Sequence, residues 1–88
     1  MVVIGYYPVM KYEHLLLEFG PVLRQLREGE GLTQEQLAYR VGHNTPSYIG
    51  FLETGTRHPS LHMVLRLAHA LGVKPSEMMA EMEKRQEE

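Results

Sequence analysis

The sequence predicts an all-α fold: a compact domain of five short helices behind a short apolar N-terminal arm. Three observations predict it. Apolar residues recur at three- and four-residue spacing through most of the 88-residue chain, as helices with one buried stripe require. Start signals at Thr33, Pro46, Ser60 and Pro75 alternate with glycine stops at 29–31, 42, 55 and 72, where N-caps, first helical positions and left-handed C-termini belong. Strand signals are confined to Val2–Ile4.

Eighty-eight residues make one domain. The boundaries expected are an arm over residues 1–11, a helical body over 12–82 and a charged tail over 83–88. The arm is read two ways, as disordered or as docked and exchanged between subunits. Met10 is also a candidate translation start, which would make residues 1–9 an extension. Helix 1 is placed within Tyr12–Glu28, with Leu15, Leu16, Phe19, Leu23 and Leu26 facing inward. Gly20-Pro21 predicts a kink or restart, because proline is best tolerated at a first helical position.

Helix 2 starts at the Thr33 N-cap, with Gln36 completing a capping box. Its inner face is Leu37, Ala38 and Val41, and Gly42 ends it. Helix 3 is expected from near Thr45, with Pro46 at its first position, to about Thr54. Ile49 and Leu52 point inward, and Gly55 closes it. Helix 4 follows a Ser60 cap with a stripe of Leu61, Val64, Leu65, Ala68 and Leu71, ending at Gly72. Helix 5 begins near Pro75 and carries Met78, Met79 and Met82. The residues beyond, EKRQEE, are expected to fray.

The absence of cysteine excludes disulfides and thiolate metal sites and fits a cytoplasmic protein. No apolar run is long enough to span a membrane, and MVVIGYYPVM lacks the features of a secretory signal. The net charge of −2 is unevenly spread. Between Leu32 and Pro75, Arg40, Arg57, Arg66 and Lys74 outnumber Glu35 and Glu53. From Ser76 onward, five glutamates face only Lys84 and Arg85. The basic side is weak for a binder of polyanions and predicts modest non-specific affinity, or a site completed only in a dimer.

The segments LRQLREGEGLTQEQLA, YIGFLETGTRHPSL and LAHALGVKPSEM, in that order and spacing, resemble the Cro/CI-type (XRE-like) helix-turn-helix family. The resemblance runs from Phe19 to Met79. It implies a lambda-repressor-like five-helix domain in which helix 3 is the recognition helix for double-stranded DNA. Part of the pattern follows from physics alone. Ala38 is small where helices 2 and 3 cross, and Gly42 can take the positive φ of the turn. Ile49 and Leu52 hold helix 3 to the core, leaving Thr45, Ser47, Tyr48 and Phe51 outward.

By position in the resemblance, Pro46, Ser47 and Phe51 face base edges. Asn44, at the helix entrance, is the best remaining candidate for a specific contact, with Thr45 beside it. Ser47 suits any base and Phe51 suits a thymine methyl. No arginine or glutamine stands in the base-facing set, so direct readout is expected to be weak. Phosphate contacts are expected from Gln34 at the start of helix 2, from Tyr48, and from Thr54, Thr56 and Arg57 in the loop after helix 3. Such contacts fix position without reading sequence. Arg27 and Glu53 match a family pair that ties helix 1 to the end of helix 3. The segment from Gly42 to Tyr48 is one residue longer than the family usually has, and the extra residue is placed in the turn.

Other candidates are weaker. His58 and His62 have a metal-ligand spacing, but His58 precedes Pro59 and falls in the loop, so no metal is expected. His62, Arg66 and His69 share one solvated face of helix 4. His43 and His58 are placed to approach phosphate and raise affinity at acid pH. No catalytic grouping or cofactor motif is present. The resulting expectation is a transcriptional regulator, a repressor, that binds operator DNA as a homodimer through helix 5 and the arm. The rival is an antitoxin or other protein-interaction module of the same fold, which would bind a partner protein.

Overall fold

A computed structural model describes residues 10–87; the expectations for the arm at residues 1–9 lie outside them. A single 3₁₀ turn, Glu13–Leu15, leads into α1 (Leu16–Gly29). Four further helices follow: α2 (Gln34–Arg40), α3 (Tyr48–Thr54), α4 (Leu61–Leu71) and α5 (Pro75–Glu87). No strand occurs among the described residues.

α1 does not break at Gly20-Pro21. It continues through Pro21, against the expected restart. The proline removes one backbone donor, whose acceptor in a regular helix is the carbonyl four residues back. That residue is Leu17, whose side chain is exposed, on the solvent side of the helix. Gly20 serves a different purpose from a helix stop. It is buried, and a Cβ there would collide with the carbonyl oxygen of Glu53 and stand 2.9 Å from that of Leu52. The glycine lets α1 lie directly on the end of α3.

The core joins all five helices. Phe19, Val22 and Leu23 of α1 meet Leu37 and Ala38 of α2, and Ile49 and Leu52 of α3. Leu67, Ala68 and Leu71 of α4 and Met78 and Met82 of α5 close the other side. Two expected apolar stripes are rotated. In α1, Leu16 is half exposed and Val22 is buried instead. In α4, Leu61 and Leu65 are exposed, and burial follows Leu67, Ala68 and Leu71, with Val64 partly covered. Apolar residues occupy so many α4 positions that a helical period fits more than one face. Packing against α5 selects the phase.

The local signals act as expected. Thr33 Oγ1 accepts from Gln36 N at 3.0 Å while Gln36 Oε1 accepts from Thr33 N at 2.8 Å, a complete capping box. Ser60 Oγ accepts from Met63 N at 3.1 Å. α5 continues past Met82 to Glu87. Arg85 Nε bonds Glu18 Oε2 at 3.0 Å, fastening the last turn of α5 to α1. Lys84 and Arg85 also lie in that last turn, where cations suit the helix dipole.

Candidate nucleic-acid interface

α3 is held by two side chains. Ile49 and Leu52 are completely or almost completely buried, so the opposite side, with Ser47 before it and Phe51 on it, faces solvent. Asn44, Thr45 and Pro46 are exposed as well. They are not in the helix. α3 starts at Tyr48, with Ser47 as N-cap and no side-chain capping bond. This corrects the expectation of a helix from Thr45 with Pro46 at its first position. The cause is local: Tyr48 N donates to Thr45 O at 3.1 Å, closing a four-residue turn ahead of the helix.

The turn is organised from both ends. α2 stops with Gly42 at φ +74°. Gly42 N donates to Tyr39 O at 3.0 Å and His43 N to Ala38 O at 2.9 Å, the paired bonds of a Schellman motif. The His43 ring then lies on Tyr48, with centroids 3.9 Å apart and planes 7° from parallel. His43 Nδ1 accepts from Thr45 N at 3.2 Å. Sequence reasoning placed His43 toward phosphate; the structure gives its ring two partners inside the turn. Tyr48 is half-buried, packed against the core as well as under this ring.

Behind the exposed face lies a charged network. Arg27 Nε bonds Glu53 Oε2 at 2.6 Å, Arg27 Nη2 reaches Glu53 Oε1 at 3.2 Å, and Arg27 Nη1 donates to Leu32 O at 2.7 Å. One guanidinium therefore ties α1 to α3 and to the loop before α2. The Glu53 side chain is 4% exposed. Its hydrogen bond to Arg27 raises the arginine pKa above the ordinary value, against an opposing effect of burial. The pair stays charged on the arginine side at any ordinary pH.

The same carboxylate reaches Gln34, whose Nε2 donates to Glu53 Oε1 at 3.0 Å. Gln34 is exposed, so its amide is both presented and oriented. Gly50, which sequence reasoning passed over, gives it room: a Cβ there would come within 3.3 Å of Gln34 Oε1. At the last residue of α3, Thr54 Oγ1 donates to Gly50 O at 3.0 Å and pairs with Thr56 Oγ1 of the following loop at 3.0 Å. The Thr54 hydroxyl thus supports the loop before it can serve any ligand. Arg57 is exposed and makes no ion pair among the described residues. Its guanidinium lies 5.6 Å from the Phe51 ring centre, and the Arg57 backbone N–H donates to Phe51 O at 3.1 Å. The result is a cation resting on the aromatic side chain of the exposed helix.

Two short helices around a glycine-closed turn, the second pinned from behind and bare in front, define a helix-turn-helix protein. The chain belongs to the helix-turn-helix family of Cro/CI type, and residues 23–78 match the family HTH_3. It is similar to the control protein C.BamHI of Bacillus amyloliquefaciens, 37% identical over 75% of this chain and 82% of that one. Among solved structures it is similar to the restriction-modification controller protein C.AhdI of Aeromonas hydrophila. That likeness has a TM-score of 0.67 and 46% identity, covering 72% of this chain and 94% of the other. The clp gene regulator ClgR of Corynebacterium glutamicum matches with a TM-score of 0.75 and 28% identity, covering 81% of this chain and 74% of the other.

Proposed function

We propose that this protein is a cytoplasmic, sequence-specific regulator of transcription, a repressor that binds operator DNA as a homodimer and catalyses no reaction. The observation that carries the reading is the bare face of α3, backed by Ile49 and Leu52 and flanked by Arg57, which makes no ion pair among the described residues. The similarity to control proteins and gene regulators supports it. No helix among the described residues is long and apolar enough to cross a membrane.

In this reading α3 and the turn before it enter the major groove. Asn44, Thr45, Pro46, Ser47 and Phe51 meet base edges. Gln34, Tyr48, Thr54, Thr56 and Arg57 meet the backbone. Arg57 and the Glu53-oriented amide of Gln34 are the strongest of these, because the Thr54 hydroxyl is already engaged. Dimer contacts come from α5, where Met79 is exposed, and from the arm. One observation favours a second reading, an antitoxin-like module for a partner protein: the face of α3 offers no arginine or glutamine for bidentate base contacts. An antitoxin can bind DNA too, so the two readings overlap; selection of bound sequences from random duplexes tests the first. Enrichment of a motif supports the regulator, whereas binding that tracks salt alone, with no motif, removes sequence specificity. Arg57→Ala should weaken binding to all duplexes alike and lower the salt slope by about one; unchanged affinity would remove Arg57 from the interface.

A further inference from the structure

We propose that His43 is a positioning residue for the base-facing turn, that only its neutral ring can do this, and that sequence discrimination is therefore lost as this ring takes up a proton. The inference rests on the DNA-binding reading above. Residues 41–47 separate α2 from α3, and the first part of that segment is fixed by backbone bonds from Gly42 and His43 to α2. Beyond it, one imidazole spans the rest. Its face lies on Tyr48 at 3.9 Å, and its edge accepts the Thr45 N–H at 3.2 Å. Thr45 in turn accepts from Tyr48 N at 3.1 Å. Ring, backbone and first helical residue close one loop, and Asn44, Thr45 and Ser47 project from it.

The job needs a flat ring and a hydrogen-bond acceptor on the same side chain. Phenylalanine has the ring without the acceptor. Asparagine has an acceptor that can reach the N–H two residues on, as in an Asx-turn, without the ring. Imidazole has both only while neutral, because both ring nitrogens of the cation are donors. Protonation at Nδ1 would set two N–H groups against each other at Thr45. Tyr48 of α3 lies on the His43 ring; Glu35, Tyr39 and Arg40 of α2 line the same groove; and Arg66 of α4 reaches the end of α2 just before His43, its Nε donating to Val41 O at 3.0 Å.

The test compares the parent chain with His43→Asn and His43→Phe. The readout is the affinity for the selected duplex divided by that for a scrambled duplex, from about pH 8 to about pH 5.5, the range in which histidine changes charge. Charge gained near phosphate cancels in this ratio, and His14, His58, His62 and His69 are common to all three proteins. The parent ratio should fall about three- to ten-fold on acidification, the worth of one net hydrogen bond. His43→Asn should be flat, and His43→Phe lower at the start and flat. In the free parent, the Thr45 amide resonance should move with titration of the His43 ring. The same profile in His43→Asn as in the parent, or a Thr45 amide that ignores the ring, overturns the proposal. If the parent prefers no duplex at any pH, the DNA-binding reading fails and the discrimination claim with it, while the amide titration still decides the hydrogen bond.

Discussion

Arg27 carries a positive charge into a position only 9% exposed, and three hydrogen bonds to Glu53 and Leu32 make that tolerable. Burying a charge pair is not in itself a large gain, but removing one partner strands the other. Glu53→Ala should therefore lower unfolding free energy by about 3–5 kcal/mol, measured by urea denaturation. A melting curve equal to the parent's would make the pair ornamental. The same carboxylate orients Gln34, so one residue serves both stability and the exposed face. Gly20 is the second sensitive position. Backbone oxygens of Leu52 and Glu53 occupy the space a Cβ would need, and backbone cannot swing aside as a side chain can. Gly20→Ala should cost about 1–3 kcal/mol as overpacking, seen as a lower urea midpoint with an unchanged slope. A gain in stability, as expected for glycine to alanine in an open helix, would mean that α1 and α3 do not approach this closely.

At the scale of elements, the short helices depend on their ends. α2 has only seven residues, far below the length at which an isolated helix is stable in water. Its capping box satisfies two backbone donors that would otherwise lack partners. Thr33→Ala should destabilise the protein by about 1 kcal/mol, and amide exchange should rise first at Gln36, whose N–H bonds Thr33 Oγ1. Uniform exchange along α2 would count against the cap. These ends were legible from sequence because a cap is a contact between residues three apart. The start of α3 was not. Pro46 is a good first helical residue, but the turn closed by Thr45 and Tyr48 displaces the helix to Tyr48. The phase of α4 was not legible either. Leu61 and Leu65 fit a helical stripe as well as Leu67 does, and only contact with neighbouring helices leaves the first two exposed.

At the scale of the whole molecule, the unit that reads DNA is proposed to be a pair of chains. Two-fold symmetry then places the two α3 helices about one helical turn, roughly 34 Å, apart along the duplex. The selected site should be an inverted repeat with half-sites about 10 bp between centres. Inserting half a turn of DNA between them should abolish cooperative binding in gel-shift titrations. Undiminished cooperativity would argue against a rigid two-fold dimer. Arg85 in the last turn of α5 is paired with Glu18 of α1, while Arg57 makes no ion pair among the described residues and lies on Phe51 of α3.

The amino-acid sequence by itself determined the number and kind of elements, the capping of α2 and α4, the inward anchors Ile49 and Leu52, and the family. All of these rest on contacts a few residues apart or on an ordered series of motifs. Tertiary structure alone decided that Gly20 is a contact point instead of a break, that α4 turns Leu67 inward and Leu65 outward, and that Glu53 steers Gln34. It also placed His43 on Tyr48 within the turn. In each of these cases the deciding partner comes from another element or from across a turn, and its distance is set by how the helices pack, which no local spacing records.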